Sequence, residues 1–193
     1  LGSGPFRLLV DLGTGTGRIL ELFTGRFQRG LGFDLNQSML AYAESKLSAA
    51  GHHNTEVRHG DLYDLTLQDG VADAVVMHQV LHFLAEPGAA IAEAARILAP
   101  GGKLLIVDFA PHDLEFLREE HAHKRLGIGA DSIEQWTAAA GLDLKRSELL
   151  AREGGSDQPQ LTVSLWVAEQ PGTTHSNATK RAGATARQIE EAR

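Results

Sequence analysis

The stretch Arg7-Leu8-Leu9-Val10-Asp11-Leu12-Gly13-Thr14-Gly15-Thr16-Gly17-Arg18 decides the fold. Its first half is an apolar run closed by an acid and reads as a buried strand, residues 7–12. Gly13 to Gly17 make a glycine turn, and a helix starts at Arg18 and reaches about Thr24. Glycines at a strand-to-helix turn let the backbone approach a ligand closely, and the helix start offers N–H donors. Ordinary tight turns are also glycine-rich, so the turn alone is a weak signal.

Outward from this stretch the pattern repeats. Residues 30–35 read as a second strand, and Asn36 or Ser38 caps a helix that runs to about Ala50 and stops at Gly51. Residues 55–58, 71–77 and 103–109 read as further strands, with an alanine-rich helix at 87–98 stopped by Pro100-Gly101-Gly102. Strand and helix alternating in this way predict an α/β, doubly wound, Rossmann-like sheet with helices on both faces. After residue 109 the pattern changes. A polar, His-rich helix is expected over 113–125 and another over 132–140. Strands at 142–150 and 161–168 follow, separated by a turn-like 153–159. Two strands with no helix between them predict an antiparallel pair at the edge, giving seven strands, mostly parallel, with an antiparallel last strand. Residues 1–169 then form one domain. Residues 170–193 are polar and aperiodic and read as a disordered tail with a frayed helix near 186–192.

Asp34 supplies the second signal. It ends the second strand, at the carboxyl edge of a parallel sheet, where an acid reaches ribose hydroxyls; the competing reading is a helix cap. The ligand is discriminated by charge. Dinucleotide-binding turns space their glycines G-x-G-x-x-G, whereas Gly13, Gly15 and Gly17 follow G-x-G-x-G. Asp11, just before the turn, repels a pyrophosphate and suits a cationic sulfonium ligand with an ammonium group.

Composition narrows the classes. A hydrophobic fraction of 42% is enough for a core, and no apolar run is long enough for a membrane helix, so a cytoplasmic protein is expected. The absence of cysteine excludes disulfides, thiolate zinc sites and thiolate nucleophiles from this chain. A net charge of -7 argues against direct nucleic-acid binding. Lys180, Arg181, Arg187 and Arg193 outnumber Glu190 and Glu191 in the tail, so the body is more acidic than the whole.

Asp11 to Gly17, Asp34, Asp61 and Pro100-Gly101-Gly102 together resemble class I S-adenosylmethionine-dependent methyltransferases of the type 11 group, over residues 7–168. Met77-His78-Gln79-Val80-Leu81-His82-Phe83 and residues 107–123 resemble more closely the methyltransferase half of bacterial proteins that fuse an arsenic-repressor-type winged helix to this domain. The resemblance implies S-adenosyl-L-methionine as cofactor. It implies that Gly13, Thr14, Gly15 and Gly17 line its methionine part, with Asp11 orienting the ammonium group. It places Asp34 and Leu35 at ribose and adenine, Met39 on the adenine, and Asp61 with Leu62 at the adenine amino group. Met39 reads equally as core, and the competing reading of Asp61 is a turn residue after Gly60.

His78 follows the fourth strand, where the resemblance places the reaction centre; it is the candidate catalytic residue, able to take a proton from a hydroxyl, and is also expected to line the cofactor. His82 would share a helical face with it. His112, His121 and His123 form a second concentration, but His121 and His123 diverge on a helix, so no metal site is expected. The leading expectation is methyl transfer to a small molecule held between the fourth and fifth strand ends and residues 112–125. The alternatives are a non-catalytic sensor of S-adenosylmethionine or its demethylated product, serving an upstream DNA-binding domain, and an NAD-dependent oxidoreductase. A homodimer is a further expectation. Because the chain opens at Leu1 just before the first strand, helices capping the cofactor are expected to be missing and the cofactor to bind loosely.

Overall fold

The computed structural model describes residue 1, residues 4–150 and residues 161–172. The expected turn at 153–159 and tail from 173 onward lie outside the described residues. Seven strands form one sheet: β1 (Phe6–Leu12), β2 (Phe27–Asp34), β3 (Thr55–His59), β4 (Ala72–His78), β5 (Leu98–Phe109), β6 (Asp143–Leu150) and β7 (Val163–Glu169). Their order is β3-β2-β1-β4-β5-β7-β6. The first five are parallel to one another, and β7 runs antiparallel to both β5 and β6. The last strand is therefore inserted inside the sheet, and β6 is the edge.

Both faces are buried because successive side chains of a strand point opposite ways. Val10, Leu12, Val75, Met77, Leu104 and Ile106 share one cluster with Ile91, Ala94 and Ile97 of α3 (Pro87–Ile97) and Ile133 of α5 (Ala130–Ala139). Leu9, Ala74, Val76 and Leu105 share the other with Ile19 and Leu20 of α1 (Arg18–Leu22) and Leu47 of α2 (Gln37–Ala49). Each fully buried Leu or Ile contributes about 1.5–3 kcal/mol of transfer free energy. This alternation explains why the strands read as unbroken apolar runs.

Three boundaries differ from the sequence expectation. β2 begins at Phe27, which pairs with Phe6 and is buried despite Gln28 and Arg29 after it. β5 begins at Leu98, and the Pro100-Gly101-Gly102 turn is a bulge within it, marked by a register shift opposite Ala72 and Ala74. Most importantly, the His-rich helix shrinks to α4 (Phe116–Glu120). The amides of His121 and His123 both donate to the Leu117 carbonyl, and those of Lys124 and Arg125 donate to the His82 carbonyl. Past His121 the ladder ends, tertiary bonds hold Lys124 and Arg125 instead, and Ala122 takes a left-handed φ of 56°.

Candidate functional site

The sheet's chain order reverses between β1 and β4, and the crevice at their carboxyl ends is where open α/β sheets bind ligands. β1 ends in the glycine turn and β2 in Asp34, and β4 ends in His78. Met77 lies opposite Leu12 in the register, so the glycine turn and His78 leave the same edge side by side.

The turn is pinned from below. The amides of Gly13 and Thr14 both donate to the Phe33 carbonyl, at 2.8 and 2.9 Å. Gly13 has φ 78°, and a Cβ there would sit 2.4 Å from a Val80 methyl. Gly15, φ 51°, faces open space, with only the Met39 sulfur 3.9 Å from where a Cβ would be. The first glycine serves packing, and the second leaves room for a ligand. Gly17 is the cap position of α1.

Beneath the turn lies Asp11, 1% exposed, with neither carboxylate oxygen hydrogen-bonded. The Thr14 hydroxyl beside it is also buried without a partner. Burial pushes the Asp11 carboxyl up to about 7, with the nearby Thr14 hydroxyl pulling back and the Asp34 charge adding to the rise. An unpaired buried carboxylate is costly, and orphaned groups of this kind call for an explanation. A cationic ligand group would satisfy both atoms, so these residues fit an ammonium-bearing ligand.

Asp34, half-buried, bridges the mouth. One oxygen accepts from the Gly15 amide at 2.8 Å and the other from the Asn36 amide at 2.8 Å. It does not cap the next helix: Asn36 does, accepting from Ser38 and Met39. Leu35 and Met39 stand beside it as exposed apolar side chains, so Met39 is not a core residue. At the β3 end, Asp61 is exposed and accepts from the Tyr63 amide at 3.0 Å, while the Leu62 side chain belongs to the core and leaves only its backbone for a ligand. The Gly60 amide donates to the Asp34 carbonyl at 3.2 Å, which sets Asp61 close to the Asp34 corner.

His78 is half-buried at the β4 end, and burial lowers its imidazole pKa below the usual value, with Asp108 opposing the shift. It is neutral at physiological pH. His82 does not share a helical face with it, because Gln79 turns the chain with φ 51° into a short 3₁₀ turn, Leu81–Phe83. His82 is 1% exposed, and its Nδ1 lies 2.6 Å from Asp108 Oδ1. This pair is not legible in the sequence, since the two residues lie far apart in the chain. Among the described residues no group of three or more potential ligands could hold a metal ion. No helix of the described residues is long and apolar enough to cross a membrane.

Comparison with known proteins places the chain in a family. The methyltransferase-domain family matches residues 10–106, about half of the chain. An arsenite methyltransferase of Aquipseudomonas alcaligenes is 31% identical over 179 residues, covering 84% of this chain and 46% of its own length. A Mycolicibacterium smegmatis protein, named as a probable S-adenosylmethionine-dependent methyltransferase, is 26% identical over 165 residues, covering 78% of this chain and 61% of its own length. The chain thus spans about half the length of these curated relatives. The crystal structure of a candidate methyltransferase from Bacillus halodurans C-125 superposes with a TM-score of 0.76 at 18% identity, covering 89% of this chain and 94% of that one. The chain belongs to the class I S-adenosylmethionine-dependent methyltransferase-domain family, whose cofactor is S-adenosylmethionine.

Proposed function

We propose that this chain transfers a methyl group from S-adenosylmethionine to a small-molecule acceptor at the carboxyl edge of β1, β2 and β4. The carrying observation is the orphaned Asp11 carboxylate with the Thr14 hydroxyl beneath a glycine turn. In this reading Gly13, Thr14, Gly15 and Gly17 hold the methionine part and Asp11 its ammonium group. Asp34 accepts from the ribose hydroxyls, exchanging its amide bonds for them. Leu35 and Met39 cover the adenine, and Asp61 with the Leu62 backbone meets its amino edge. His78 lines the reaction centre as the catalytic residue nearest the methyl. The bound cofactor supplies an electrophilic methyl on a sulfonium; the chain supplies alignment of the two reactants at about 3–3.5 Å.

The acceptor is held between the β4 and β5 ends and residues 112–125. Its identity differs from that of the arsenite methyltransferase, because these 193 residues contain no cysteine to hold a trivalent metalloid. The test is transfer of labelled methyl from S-adenosylmethionine into a panel of hydroxyl, amine and carbon acceptors. His78→Ala is expected to lower kcat by about 10²-fold through lost alignment, with binding of S-adenosylhomocysteine less affected. Cofactor binding with no labelled product from any acceptor would sink the enzymatic reading and leave a sensor.

A further inference from the structure

Behind the reaction centre, at the ends of β4 and β5, lies a nest of rings that the cofactor reading does not use. Asp108 is fully buried at the end of β5. Its Oδ2 accepts from the Leu81 amide at 2.9 Å and its Oδ1 from the Phe109 amide at 2.8 Å. The same Oδ1 lies 2.6 Å from His82 Nδ1. A carboxylate that already accepts twice from backbone fixes the proton on Nδ1 and leaves Nε2 as a lone pair. His78 has no carboxylate bonded to its ring among the described residues.

The His123 imidazole covers this pair. Its ring centroid is 4.2 Å from that of His82, 5.3 Å from Phe83 edge-on, and 5.8 Å from Phe109, to which it lies nearly parallel at 17°. His123 is itself 8% exposed, and its Nδ1 is buried without a hydrogen-bond partner. Burial holds it neutral. A planar, neutral, polar ring thus fills an aromatic slot over His82 without satisfying its own nitrogen. It sits on a short irregular segment next to the left-handed Ala122.

Resting on the methyltransferase reading above, we propose that His82, positioned by Asp108, takes the proton from planar hydroxyl-bearing acceptors, and that His123 occupies the slot in which such an acceptor stacks. The acceptor oxygen bonds to the methyl carbon as the carbon–sulfur bond breaks, and that electron pair leaves on sulfur as a neutral thioether. The hydroxyl proton passes to His82 Nε2, and the imidazolium so formed faces the Asp108 carboxylate. His78 bounds the methyl, and His82 receives the proton.

The experiment uses the full chain with catechol as probe, with and without S-adenosylhomocysteine, read by nitrogen–proton correlation spectra of the imidazoles. His82 is expected as the Nδ1–H tautomer, and catechol is expected to shift its Nε2 resonance. His123→Ala, which empties the slot, is expected to bind catechol about tenfold more tightly, because the competent state no longer competes with a filled one. His82→Asn keeps a partner for Asp108; it is expected to retain S-adenosylhomocysteine and lose catechol methylation. A His82 Nε2 resonance unmoved by catechol in both wild type and His123→Ala, or equal catechol affinity in the two, would overturn the proposal. S-adenosylhomocysteine titrated in the same samples separates the cases: its retention with a silent His82 overturns this inference alone, and its failure to bind overturns the cofactor reading.

Discussion

Asp11→Asn is expected to make the unliganded protein more stable while removing most of its affinity for S-adenosylmethionine. The carboxylate is buried, unpartnered and titrates near 7. A folded pKa raised above the unfolded value means that the folded state binds the extra proton. Its stabilising share is fully present below pH 4, declines as pH rises from about 4 to about 7, and is lost above that. At pH 8 the wild type therefore carries an uncompensated buried charge that asparagine lacks, and Asp11→Asn should raise the Tm by a few degrees. The same substitution removes the charge opposite the ligand's ammonium. Losing one partner of a buried charge pair costs about 2–5 kcal/mol, so affinity should fall on the order of 10²-fold. Wild-type affinity should accordingly rise with pH through about 7. Scanning calorimetry and a binding titration on one preparation check both signs. A mutant that loses binding and is also less stable at pH 8 would mean that Asp11 is satisfied in the free protein.

Gly13→Ala is expected to damage the fold itself. The position has φ 78° and a Val80 methyl 2.4 Å from the new Cβ. A left-handed conformation costs an L-residue about 1–2 kcal/mol, and forced overpacking adds about 1–3 kcal/mol. Together they should lower the Tm by roughly 10 °C for a chain of this length. Pairing it with Val80→Ala should recover part of the loss, since the methyl contacts are removed while the residue-80 Cβ, 2.8 Å from the new Cβ, and the φ strain remain. A Gly13→Ala protein with wild-type Tm would show that the turn has an alternative backbone path. Gly15→Ala separates structure from binding: its Cβ meets little protein, so beyond φ strain its effect falls on the ligand.

What could be read from sequence were the features encoded locally. RLLVDL at 7–12 states both burial and strand by composition alone, because a parallel strand buried on two faces needs no alternation. The glycine turn and Asp34 were legible because turn chemistry and strand ends are short-range. The antiparallel character of β7 followed from the missing crossover helix, but its insertion between β5 and β6 did not. The His-rich segment was misjudged for a physical reason. Residues 113–125 have ordinary helix formers, yet Lys124 and Arg125 amides bond the His82 carbonyl and Arg125 binds the Leu84 and Ala85 carbonyls. Those contacts are non-local, and propensity yields to them. The His82–Asp108 pair was hidden for the same reason, as was the role of Val80 in forcing Gly13.

The proposed cofactor site depends most on Asp34 and the turn it braces. Calorimetric titration of the wild type and of Asp34→Ala with S-adenosylmethionine, S-adenosylhomocysteine and NAD tests it most directly. Two charge-assisted hydrogen bonds are worth about 1.5–3 kcal/mol each, so both adenosyl ligands should bind the wild type and weaken by at least about 10²-fold in the mutant, with no heat from NAD. Unchanged affinity in Asp34→Ala, or saturable binding of NAD, would contradict it.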